Sequence, residues 1–89
     1  MHIVFKKVPL KTRRGSTLVI EARRSFRLGE SVRNELVKYL GSIRENSLTL
    51  PVARRAFWNS VDTRLDALNL PEFERVKLVN RIATRVPRA

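Results

Sequence analysis

Cysteine is absent from this chain, which excludes a disulfide framework and any zinc site built on thiolates. Histidine is almost as scarce. His2 stands alone near the start, so neither a catalytic triad nor a histidine-based metal site can be assembled around it. The three glycines, Gly15, Gly29 and Gly41, are spread too widely to form a phosphate-cradling loop. No stretch approaches the roughly 18 apolar residues of a membrane-spanning helix, so no membrane partner is expected. At the start, Lys6 and Lys7 follow Ile3, Val4 and Phe5 and no apolar h-region comes after them, which does not read as a signal peptide. A cytoplasmic location is expected, a nucleoid-associated one included. The last shortage is of negative charge: eight Asp+Glu face nineteen Lys+Arg.

That shortage leaves a formal net charge of +11 on 89 residues. Most of the basic residues are arginine, whose planar fork suits phosphates and guanine edges. Nucleic acid is therefore the expected partner. At 43% hydrophobic residues, the chain is too apolar for a disordered basic tail and long enough for one folded domain over residues 1–89. The charge is uneven. Residues 1–44 hold eleven basic and three acidic side chains, while residues 45–89 hold eight and five.

The first half reads as β. Residues 2–8 contain Ile3, Val4 and Phe5 and are stopped by Pro9, and the basic stretch with Lys11, Arg13 and Arg14 breaks at Gly15. Thr17, Leu18, Val19 and Ile20 open a strand that runs to about Arg27. Gly29 suits the first central position of a type II′ turn, where a positive φ is needed. With Leu28 opposite Ser31, the register places Arg24 against Glu35, Glu21 against Lys38, Ile20 against Tyr39 and Ala22 against Val37. The first two are opposite-charge pairs, each contributing about 0.2–1 kcal/mol. A rival pattern runs through the same residues: Val32, Leu36, Tyr39, Leu40 and Ile43 have helical spacing, with Ser31 as cap and Gly41 as terminator.

The second half reads as two helices. Thr49 lies in the N-cap region and Pro51 in the first turn, followed by the stripe Ala53, Phe57, Val61, Leu65 and Leu68. Pro71 begins a second helix, with Val76, Val79, Ile82 or Ala83, and Val86 inward and Pro87 as the stop. The short link makes the two a helical hairpin. The expected fold is α+β: a small antiparallel sheet of two or three strands over 2–41, including a hairpin, followed by a two-helix hairpin over 51–86.

At residues 16–45, Leu18 to Arg24 followed by a turn and then by Val32, Arg33, Asn34, Glu35 and the tail Tyr39-Leu40-Gly41-Ser42-Ile43 carry a resemblance. The segment resembles the N-terminal segment of certain bacterial insertion-sequence transposases. There, a strand with a Glu-x-x-Arg-like ending precedes a basic strand finishing in a Tyr-Leu-Gly-x-Ile-like tail. The likeness covers about a third of the chain and favours strand over helix for 31–40. The ribonuclease-H-like catalytic core of those proteins lies outside the matching segment, so no catalytic carboxylate carries over. What the resemblance implies is a stand-alone relative of an accessory region, encoded by a mobile element or phage or domesticated from one. The helical half resembles no named family.

The strongest candidate site is the hairpin. Its root is expected to be apolar on both faces, through Leu18, Val19, Ile20, Leu36, Tyr39 and Leu40. Arg23, Arg24, Arg27 and Arg33 gather near its turn, and Lys6, Lys7, Lys11, Arg13, Arg14 and Lys38 add charge from its surroundings. Such a ribbon is shaped to enter a major groove or lie along phosphates. Phe26 is read as a core residue, with base stacking as the alternative. Trp58 is read as a packed core edge, and Arg54, Arg55, Arg64, Arg75, Arg81 and Arg85 as solvated helix surface. Asp62 and Asp66 are spaced for one helix face but lack a third ligand, so they are read as charges balancing arginines. The expectation is a non-catalytic nucleic-acid-binding protein without cofactors, DNA favoured over RNA. The alternatives are a homodimer, or a module that binds an acidic surface of a host nucleic-acid-processing complex.

Overall fold

The computed structural model describes residues 1–10 and 15–88. Three strands, β1 (His2–Pro9), β2 (Ser16–Leu28) and β3 (Ser31–Arg44), form an antiparallel sheet in the order β1-β2-β3. A 3₁₀ turn at Glu45–Ser47 leads to α1 (Pro51–Asp66) and α2 (Glu72–Ala83). The helical alternative for 31–43 is not realised.

Alternation along the central strand decides which face the helices cover. Leu18, Ile20 and Ala22 are fully buried or nearly so, and their partners Ile3 and Phe5 on β1 and Gly41 and Ile43 on β3 share that face. Phe57, Trp58, Val61 and Leu65 of α1 and Leu78 and Ile82 of α2 close the core from the other side. Each large side chain so buried contributes about 1.5–3 kcal/mol relative to exposure.

Pro51 stands at the start of α1 as expected, but Leu50, not Thr49, is the N-cap residue, and it makes no side-chain cap bond. Asn69 takes the left-handed conformation, φ 51°, in the link between the helices, a region asparagine tolerates through its short polar side chain. Contacts between the helices run in the antiparallel sense. Trp58, midway along α1, donates from Nε1 to the carbonyl of Val86 beyond α2 at 3.0 Å, while Asp66 at the end of α1 pairs with Arg75 early in α2. The inward stripe of α2 is Leu78, Ile82 and then Val86, with Val79 and Ala83 half-buried. Val76, expected inside, is 47% exposed, because Leu78 takes the core position and turns Val76 outward.

The β2–β3 register holds at the tip and drifts toward the root. Leu28 faces Ser31 and Arg24 faces Glu35 as expected, and Gly29 has φ 64° at the first central position of the turn. Irregularities between Ala22 and Arg23 and between Ile20 and Glu21 then each insert one extra residue in β3. Val37 and Leu40 are the extra residues, so Ala22 faces Lys38, Glu21 faces Tyr39 and Ile20 faces Gly41. The expected pairs Ala22–Val37, Glu21–Lys38 and Ile20–Tyr39 are therefore not formed. The carbonyl of the bulged Leu40 accepts the Ser60 hydroxyl of α1 at 3.2 Å, so the departure from the ladder leaves no orphan there. Gly41 is explained by the same junction. A Cβ at this position would sit 3.3 Å from the Phe57 ring, so α1 approaches β3 more closely than a larger residue allows.

Because β1 ends opposite Arg23, the hairpin continues beyond the three-stranded sheet as a two-stranded arm. The molecule measures 43 × 31 × 20 Å, and its radius of gyration is 14.2 Å. A fully compact chain of this length would come to about 12 Å. The projecting arm is the reason for the excess.

Candidate nucleic-acid interface

Every residue from 24 to 36 is exposed, so both faces of the arm are open to solvent. One face carries Arg24, Phe26 and Leu28 with their partners Glu35, Arg33 and Ser31, and the other carries Ser25 and Arg27 with Asn34 and Val32. At the root of the second face Arg23 pairs with Leu36. Phe26 is 41% exposed, which corrects its reading as a core residue: beyond Arg23 no helix or third strand lies beneath it. Leu28, Val32 and Leu36 are exposed for the same reason. The ribbon root is not buried on both faces, since Leu36 and Tyr39 lie in the open.

The four arginines of the hairpin divide by their partners. Arg23 is half-buried and donates from Nε to Glu21 at 3.0 Å and from a terminal nitrogen to Asn34 at 3.3 Å. Arg24 donates twice to one oxygen of Glu35, at 3.2 and 2.8 Å. Arg27 and Arg33 make no ion pair among the described residues, and they stand on opposite faces of the ribbon. Three arginines against Glu30 and Glu35 leave residues 24–36 with a net charge of only +1. The arm is thus a ribbon of mixed apolar and polar side chains on both faces, with two guanidinium groups in no ion pair among the described residues, rather than a concentrated basic tip.

The surrounding candidates lie at the root. Lys6 reaches Glu21 at 3.3 Å and Lys7 reaches Glu45 at 3.4 Å. Lys38 is half-buried opposite Ala22 beside the first bulge. Lys11, Arg13 and Arg14 lie outside the described residues. Glu21, itself buried on the sheet face away from the helices, receives both Lys6 and Arg23. Burial pushes its carboxyl up, but hydrogen bonds from Arg23 and Lys6 and their positive charges together prevail and hold it below the usual range.

Several arginines of the helical half are not the plain solvated surface that the sequence suggested, though Arg55 is exposed as expected. Arg81 and Arg85 lie over the Phe5 ring at 5.6 and 5.0 Å, Arg88 over Trp58 at 4.1 Å, and Arg64 over Tyr39 at 5.1 Å. Trp58 itself is buried and edge-on to Phe57, as a packed core residue should be. Asp62 pairs with Arg88 at 3.0 Å and Asp66 with Arg75, so both carboxylates balance arginines. Sequence reasoning missed one grouping, the placement of Arg44 and Arg64 beside Tyr39 along the edge of β3. Only the bulges and the close approach of α1 bring these together, and neither leaves a spacing signal. No known protein family, curated protein or solved structure matches this chain.

Proposed function

We propose that this chain is a non-catalytic nucleic-acid-binding protein, DNA favoured over RNA, that lays its β-arm into a groove of the duplex. The observation that carries this reading is the arm itself: a two-stranded ribbon projecting past the sheet, exposed on both faces, with Arg27 and Arg33 in no ion pair among the described residues. A two-stranded ribbon suits the major groove of B-form DNA, about 12 Å wide. The deep and narrow major groove of A-form RNA does not admit side chains in that way, which favours DNA. The net charge of +11 supplies long-range attraction. The engagement of Asp62 and Asp66 with arginines supports a non-catalytic role. An origin in a mobile element or phage follows only from the sequence resemblance of residues 16–45, to which the comparisons add nothing.

Fluorescence anisotropy with labelled duplex DNA, duplex RNA and single strands over a salt series tests this. Binding to duplex DNA should be strongest and should weaken steeply as salt rises. Changing Arg27 and Arg33 together to alanine should lower the slope of log K against log salt by roughly 2, about 0.9 for each phosphate released. Absence of binding at low salt overturns the reading.

A second reading draws on Phe26, Leu28, Val32 and Leu36, apolar and exposed on an arm of net charge +1. These suit a protein partner, such as an acidic surface of a host nucleic-acid-processing complex. Capture of an acidic protein partner that is lost in Val32→Ser and Leu36→Ser, while duplex DNA binds weakly or not at all, would favour it.

A further inference from the structure

We propose that the groove between the edge of β3 and α1 binds single-stranded nucleic acid, as a second contact beginning at the root of the arm. The inference rests on the nucleic-acid reading above and names the part of the ligand that the arm does not serve. The groove has a volume of about 410 Å³. Ala53, Ala56 and Ser60, one turn apart on α1, form one wall, and their small side chains keep it open. Arg44 and Arg64 supply its charge, and neither makes an ion pair among the described residues. The acidic residues of α1 do not neutralise it, because Asp62 and Asp66 are held by Arg75 and Arg88.

The polar groups of the groove are fixed in place. Arg64 donates to the Ser60 hydroxyl, which in turn donates to the Leu40 carbonyl at 3.2 Å. The guanidinium of Arg64 also lies over the Tyr39 ring at 5.1 Å, and the Tyr39 hydroxyl donates to Ser42 at 2.9 Å. Tyr39 is nonetheless 38% exposed. Guanidinium groups and serine hydroxyls suit a phosphodiester, and an exposed ring suits the face of a base. In a duplex the base faces are buried in the stack, so the ring selects an unpaired base. Tyr39 lies three residues from Leu36 in β3, roughly 10 Å along the strand. One molecule with a paired and an unpaired segment can therefore reach the arm and the groove together.

The test compares anisotropy of the full chain with a blunt DNA duplex, the same duplex with a five-nucleotide single-stranded overhang, and that overhang made abasic. The overhang should tighten binding roughly 5- to 150-fold, the range for stacking one base, and the abasic overhang should lose most of that gain. Tyr39→Leu and Arg64→Gln should each reduce the gain while leaving blunt-duplex affinity unchanged. Arg44→Gln, at an exposed position, gives a reading free of any packing change should Arg64→Gln melt early by circular dichroism. An overhang that adds nothing, or a gain that survives in Tyr39→Leu and Arg44→Gln, overturns the groove and leaves the arm standing. Failure of every nucleic acid to bind removes both.

Discussion

Arg88 lies 4.1 Å over the Trp58 ring and pairs with Asp62, and Arg81 and Arg85 share the ring of Phe5. At the other end of the molecule, Arg27 and Arg33 make neither an ion pair nor a ring contact among the described residues. The same residue type thus serves as packing material in one region and is left unengaged in the other. What separates them is the surface within reach. A helical arginine can lay its stem and charged plane on aromatic rings that the core leaves at its margin. An arginine on a free ribbon has only its cross-strand neighbours, and those of Arg27 and Arg33 are Val32 and Phe26.

That contrast can be broken or sharpened by measurement. The largest effect is expected from paired truncations, one in each region. Ile20→Ala, in the fully buried centre of β2, should cost about 2–5 kcal/mol, while Val32→Ala on the arm should stay within about 0.5 kcal/mol. Urea melts give both numbers, and a comparable cost at Val32 would mean that the arm is packed against something.

A smaller effect is expected at Glu21, where the sheet meets the arm. Its carboxyl titrates below its ordinary range in the folded state, so its contribution is present above the unfolded value and lost as pH falls through the folded one. Glu21→Gln should therefore destabilise by about 1–2 kcal/mol at neutral pH, from bonds to charged groups discounted for the half-exposed Lys6. The gap to the parent protein should close as pH drops below about 4. A gap that stays constant to pH 2 would assign the effect to packing rather than charge.

The smallest effect separates the two kinds of arginine directly. Arg88→Ala should lower stability by about 0.5–1 kcal/mol through loss of the Trp58 contact. Arg33→Ala should leave the thermal midpoint unchanged within error. Equal shifts in both would end the distinction between packed and unengaged arginines.

The sheet-then-helices order was legible because its signals are local. Thr17 to Ile20 are rich in β-branched residues, Gly29 marks the turn, and Pro51 and Pro71 flank the helix starts. The stripe from Phe57 to Leu65 obeys the helical period and is buried. The weakest point was β3, and its bulges give the reason. Two extra residues in a fourteen-residue strand break the period of two, and Leu36, Tyr39, Leu40 and Ile43 then fall at spacings that imitate a helix. For the candidate site, the clustering of arginine near the turn was legible, but its use was not. Charge counts do not reveal that Glu21, Asn34 and Glu35 occupy Arg23 and Arg24, nor that Phe26 lies beyond the reach of any covering layer. Tyr39 and Arg44 share β3 and meet Arg64 only through the packing of α1 against that strand, which no spacing in the sequence announces.

The two inserted residues of β3 also determine where the arm points. Bulges bend a ribbon and sharpen its twist without changing which side chains share a face. Deleting Val37 would keep the pairs from Arg24–Glu35 to Leu28–Ser31 and change the direction in which they are presented, at the loss of one half-buried side chain packed against the core. The heading of this projection is thus a variable that one codon in β3 can adjust, with the cross-strand pairs of the tip inherited unchanged.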